Sequence, residues 1–140
     1  IPSRKPELDD IRIYQKLHEV GTKVQHICYE PEDLDLLSDV LKKSKLLDTR
    51  VWCMFTIGHY SGKVSYPEKI PFFLRKLKDH NIIADWAVCA FSKEEIPCLK
   101  TAIKLGGKIR VGFENSLLMP DGSIAPDNET KVKAAKILFG

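Results

Sequence analysis

The sequence predicts an α/β protein built on a parallel sheet, and three observations carry that expectation. Short runs rich in Val, Ile, Cys, Trp and Phe recur along the chain, each is followed by a stretch with apolar residues at helical spacing, and glycine or proline punctuates the joins. Strands separated by helices cannot pair as tight hairpins. Each connection must cross over, so successive strands run parallel and the helices cover the sheet.

The elements follow in order. Leu8, Ile11, Tyr14 and Leu17 form a helical stripe, and Gly21 stands where a left-handed C-terminal cap belongs. Residues 24–29 are β-formers, and Glu30-Pro31-Glu32-Asp33 opens a helix with Leu34, Leu37, Val40 and Leu41 on one side. Residues 51–57 are apolar almost without interruption, as in a strand buried on both faces. They lead through Gly58-His59-Tyr60-Ser61-Gly62 to a helix over about residues 67–78. The third strand covers 85–91; Ser92-Lys93-Glu94-Glu95 then reads as a capping box for a helix that turns Ile96, Leu99 and Ile103 inward and stops at Gly106-Gly107. A fourth strand over 108–114 precedes a loop with Pro120-Asp121-Gly122 and a last helix from about Asp127, carrying Val132, Ala135 and Leu138. Two architectures satisfy this order: a small open α/β sheet, or half of an eight-stranded (β/α) barrel. Periodicity does not choose between them.

Composition excludes several classes. With 140 residues, 44% hydrophobic and 29% charged, the chain has the material for one folded domain. No run approaches the roughly 20 apolar residues of a membrane span, and the opening Ile1-Pro2-Ser3-Arg4-Lys5-Pro6 lacks the apolar stretch of a signal peptide. The start at Ile rather than Met suggests a piece of a longer chain. Basic and acidic residues number 22 and 19, without a long block of either sign, so nucleic acid is not an expected partner. Cys28, Cys53, Cys89 and Cys98 form no C-x-x-C pair. They read as buried structural thiols of a cytoplasmic protein, with nothing nearby to depress a thiol pKa.

The chemistry concentrates near the C-terminus. If residues 108–114 form a strand, alternation puts Ile109, Val111 and Phe113 toward the helices and Arg110, Gly112 and Glu114 on the opposite face. Glu114 then stands at the strand's C-terminal end, where parallel α/β folds gather ligands. A purely structural Arg–Glu pair satisfies the same spacing.

The run Leu105-Gly106-Gly107-Lys108-Ile109-Arg110-Val111-Gly112-Phe113-Glu114-Asn115, with Pro120-Asp121-Gly122 and Ala125-Pro126-Asp127-Asn128 after it, resembles the final βα segment of the β-keto acid cleavage enzymes. The resemblance extends back through Pro97, Trp86-Ala87-Val88, the loop from Gly58 to Gly62, Leu46-Leu47-Asp48 and Val20-Gly21-Thr22-Lys23. It implies the last four βα units of a TIM (β/α)8 barrel, so residues 1–140 would be the C-terminal half of that domain and the N-terminal half a missing partner. The implied activity is zinc-dependent exchange of a β-keto acid with acetyl-CoA, giving acetoacetate and a new CoA thioester, in a homo-oligomer.

By the same resemblance Glu114 is a zinc ligand and Arg110 assists acid–base chemistry. The family's other two ligands form an H-x-H pair, whereas His18, His26, His59 and His80 are isolated here, so the metal site is expected to be incomplete. His59 reads as an exposed or capping residue. Asn115 stands where some members carry a catalytic Asp, and an amide cannot take a proton as a carboxylate does. Ser92 and Lys93 replace a Gly-rich turn ending in Arg, leaving them as candidates for holding an anionic cofactor or substrate. A non-catalytic remnant or interaction module of the same fold, or an unrelated small α/β binding domain, are the rival expectations.

Overall fold

The computed structural model describes residues 7–140; the charged opening lies outside the described residues. Helix α1, Leu8–Glu19, starts at Glu7, whose backbone N–H donates to Asp10 at 2.9 Å. It stops where Gly21 takes φ +77°, as the sequence predicts. Strand β1, Gln25–Cys28, is shorter than expected because the backbone N–H groups of Tyr29 and Glu30 turn to the Asp33 carboxylate, at 2.8 and 2.9 Å, and swing the chain into α2, Asp33–Lys43.

Strand β2, Val51–Ile57, has its predicted bounds. A 3₁₀ turn, Pro67–Lys69, leads into α3, Ile70–Asp79. Strand β3, Ala84–Ala90, is followed by a second 3₁₀ turn, Ser92–Glu94, and by α4, Glu95–Lys104. Strand β4 is Lys108–Ile109, and α5 is Asn128–Ile137, capped by Asp127 accepting from the Thr130 N–H at 2.6 Å.

The sheet order is β1-β2-β3-β4 and every pairing is parallel. One face is covered by helices: Leu34, Leu37, Leu41, Ile70, Phe73, Leu77, Cys98, Leu99 and Ala102 pack onto Cys28, Cys53, Phe55, Ile57, Val88 and Ala90. The other face carries a separate small cluster, Met54, Ala87 and Cys89 with Trp52, to which no helix contributes. Sequential strand order with one-sided helices is consistent with part of a (β/α) barrel; a doubly wound open sheet would carry helices on both faces.

Several expectations need correction, most of them where polar groups find partners. The fourth strand does not run over 108–114. After Arg110 donates to the Val88 carbonyl at 2.9 Å, the N–H groups of Asn115 and Ser116 both turn back to the Gly112 carbonyl, so Glu114 sits in a turn. Ser92 and Glu95 form no capping box: Ser92 takes φ +57°, and Glu95 is 1% exposed, pointing into the protein. Helix α4 buries Glu95, Cys98, Leu99 and Ala102; of the expected stripe, Leu99 is fully buried and Ile96 packs partly buried against the core, while Ile103 is only half-buried. In α5 Ala135 is buried as expected and Leu138 packs against the core, but the third inward position is Lys131, whereas Val132 is exposed. The described cysteines are all free and buried, as expected. At Cys53, however, a hydrogen bond from Cys28 lowers the thiol pKa, while the same contact raises that of Cys28.

The Gly106-Gly107 pair divides two tasks. Gly106 supplies the left-handed turn, φ +85°, whereas a Cβ on Gly107 would collide with the Trp86 ring. That ring stacks on Phe55, centroids 5.7 Å apart, and Phe55 on Phe73 at 4.5 Å, so its retreat would disturb this stack. Gly107→Ala is expected to cost about 1–3 kcal/mol as overpacking. Urea unfolding followed by tryptophan fluorescence checks this; an unchanged midpoint would show that the ring yields.

Candidate functional site

Strand register assembles the site. Thr56 pairs with Cys89, and Ile109 with Val88, which brings Arg110 level with Cys89 on the face away from the helices. Thr56 Oγ1 and Cys89 Sγ share a hydrogen bond at 3.5 Å, and Arg110 Nη2 donates to the same sulfur at 3.4 Å. This row lies near the C-terminal end of the strands.

The turn after β4 then folds two more side chains onto the guanidinium. Glu114 Oε1 lies 3.2 Å from Arg110 Nη2, and Asn115 Oδ1 accepts from the same nitrogen at 3.5 Å. Gly112 permits this, because a Cβ there would stand 2.9 Å from Glu114 Oε2. Glu114 is exposed, but Asn115 is buried at 4%. Arg110 Nε and Asn115 Nδ2 are both buried without a hydrogen-bond partner among the described residues.

A buried clamp fixes the turn. Lys131 Nζ donates to Glu95 Oε2 at 2.8 Å, to the Ser116 carbonyl at 2.7 Å and to the Leu118 carbonyl at 3.0 Å. The Asn115 carbonyl accepts from the Ser92 N–H at 3.0 Å, and Asn128 Oδ1 from the Phe113 N–H at 3.0 Å. Burial pushes the Glu95 carboxyl pKa up, against the downward pull of Lys131. The clamp therefore retains a desolvation cost.

Arg110, Glu114 and Asn115, expected to act together, are thus in contact. Ser92 joins them through its backbone, and its N–H is already committed to Asn115. Lys93 is exposed on the 3₁₀ turn. Sequence reasoning missed Thr56 and Cys89, whose role depends on strand register, and also Lys131 and Glu95. A signal existed for these last two: Lys131, Ala135 and Leu138 share helical spacing, as do Glu95 and Leu99, so each charge falls on an inward stripe.

Among the described residues, no group of three His, Cys, Asp or Glu side chains is arranged to hold a metal ion. Glu114 is a single carboxylate already paired with Arg110, so the described residues do not by themselves fit zinc. His59 does not complete the site. Its Nδ1 accepts from the Ser61 N–H at 3.1 Å, which places the neutral ring's proton on Nε2, and the ring meets Tyr29 and Tyr60 edge-on at 5.8 Å each. A cavity of about 960 Å³ lies elsewhere, along β1, lined in part by Ile27, Tyr29, Leu37 and His59. No helix among the described residues is long and apolar enough to cross a membrane.

The chain is an α/β protein with a one-sided parallel sheet, and an arginine, a carboxylate and a buried amide converge near the C-terminal end of its strands, the end at which such folds gather ligands. The family model described as beta-keto acid cleavage enzyme matches residues 4–139. The chain belongs to the beta-keto acid cleavage enzyme family.

Proposed function

We propose that this chain is the C-terminal half of a (β/α)8 barrel, and that the complete protein exchanges a β-keto acid with acetyl-CoA to give acetoacetate and a new CoA thioester. The observation that carries the reading is the convergence of Arg110, Glu114 and Asn115 within a chain matched to the family over residues 4–139. The half-barrel reading is supported by the strand order and by β1 and β4 each having one strand neighbour among the described residues. Exposed strand edges invite pairing, so the other half of the polypeptide, or a further copy, would cover them in a homo-oligomer.

Zinc belongs to the complete site in this proposal, with Glu114 its one ligand from this chain and the histidines supplied from outside it. This chain's own contribution is electrostatic. Arg110 presents a fixed positive charge, aimed by Cys89 and Asn115, to an anionic substrate or to charge developing on its oxygen. Asn115 cannot serve as the base and contributes hydrogen bonding. A cytoplasmic location is part of the same proposal, consistent with cysteines left as free thiols.

The test is expression of the longest polypeptide containing these residues, followed by zinc analysis and an assay for acetoacetate formed from acetyl-CoA and a β-keto acid. Stoichiometric zinc and turnover are expected there, and neither in the isolated 140-residue chain. A complete polypeptide with an H-x-H pair but no turnover would favour the non-catalytic reading, to which Asn115 lends its one specific support.

A further inference from the structure

We infer that the substrate tail facing this half of the barrel is uncharged and aliphatic, and that Ile27 on β1 selects it. Strand register orders the face away from the helices into rows. Gln25, Trp52 and Asp85 pair in turn near the N-terminal ends of the strands, and Ile27, Met54, Ala87 and Lys108 form the next row. Thr56 and Cys89 stand with Arg110 in the row nearest the C-terminal ends.

The middle row is apolar where it meets the row of Arg110. Its lysine leans to the other end of the sheet: Lys108 Nζ lies 3.8 Å from Asp85 Oδ1 and 5.5 Å from the centroid of the Trp52 ring. Ile27, Met54 and Ala87 remain. Met54 and Ala87 are each 2% exposed and form a closed floor, whereas Ile27 is 50% exposed and borders the cavity of about 960 Å³ along β1. Room for a ligand group therefore exists at Ile27. Glu30, Lys63 and Asp33 also line that cavity, but they are already engaged. Glu30 pairs with Lys63 and Lys69, and the Asp33 carboxylate accepts the N–H groups of Tyr29 and Glu30 at 2.8 and 2.9 Å.

Arg110 on β4 and Ile27 on β1 are three strand spacings apart, about 14 Å along the sheet. In a closed barrel both side chains project into the interior, and the gap between them suits a short-chain acid. With its oxygens toward Arg110, the acid ends its tail against Ile27. A charged group at that end would lose water and gain no partner. Naming the class of β-keto acid in this way rests on the function proposed above; the apolar surface itself rests on strand register and burial.

The test uses the longest polypeptide containing these residues and a calorimetric titration without acetyl-CoA. It compares 3-oxohexanoate with 3-oxoadipate, acids of equal chain length of which the second ends in a further carboxylate. The parent protein is expected to bind 3-oxohexanoate at least about tenfold more tightly. Ile27→Lys, a change at a half-exposed position checked for folding by circular dichroism, is expected to narrow or reverse that preference by offering the terminal carboxylate a cation. Equal affinities in the parent, tighter binding of 3-oxoadipate, no saturable binding of either acid, or a preference unchanged in Ile27→Lys would each overturn the inference. Should the variant not fold, the parent's ratio decides alone. Acetoacetate formation is assayed separately. The expected preference without turnover would count against the proposed function alone, and turnover without the preference against the role of Ile27 alone.

Discussion

Lys131→Met is expected to destabilise the fold by about 3–5 kcal/mol, the range for removing one partner of a buried ion pair. Glu95 and Lys131 are 1% and 4% exposed, so methionine would leave a carboxylate in the protein interior without its cation. It would also orphan the Ser116 and Leu118 carbonyls, which accept from Nζ at 2.7 and 3.0 Å. Such a loss is a large fraction of the total stability of a domain this size. Urea unfolding gives the comparison, with the midpoint falling while the slope is kept. The double variant Glu95→Leu with Lys131→Met should recover part of the loss, because it removes the buried charge along with its partner. A single variant as stable as the parent would mean that water reaches Glu95 and that the pair is not closed.

The second large effect is expected on activity. If the proposed function holds, Arg110→Ala in the longest polypeptide containing these residues should lower kcat/KM for the β-keto acid by about 10²–10³, the range for removing a preorganised donor to developing negative charge. Arg110→Lys should recover little. A lysine ammonium can meet Glu114, but it lacks the planar fork with which arginine reaches Cys89, Glu114 and Asn115 through Nη2 while presenting Nε in another direction. Steady-state kinetics together with a thermal unfolding curve separate lost chemistry from lost folding. Full activity in Arg110→Lys would reduce the residue's part to charge alone.

The architecture was legible because it depends on local and periodic features. Runs of β-formers marked all four strands, Gly21 and Gly106 marked helix ends, and alternation with helices implied parallel pairing, which the sheet shows. The boundaries were less legible where polar side chains compete with the ladder. Asp33 takes the N–H groups of Tyr29 and Glu30 and ends β1, and the Gly112 carbonyl takes those of Asn115 and Ser116 in the turn that replaces the expected end of β4.

For the site, the sequence by itself determined the residue types and their place along the chain: Arg110, Glu114 and Asn115 within five positions of one another, and no H-x-H anywhere. It pointed to Arg110 and Glu114 on one face through strand alternation, and the two do meet, but for another reason. Only the tertiary structure decided that the meeting occurs through a turn at Gly112, that Thr56 and Cys89 complete the row, and that Lys131 and Glu95 clamp the backbone behind it. Hydrogen-bond partners across the sheet depend on register, and buried charges on what a facing helix presents; both are set between segments far apart in the chain, where periodicity within any one of them carries no information.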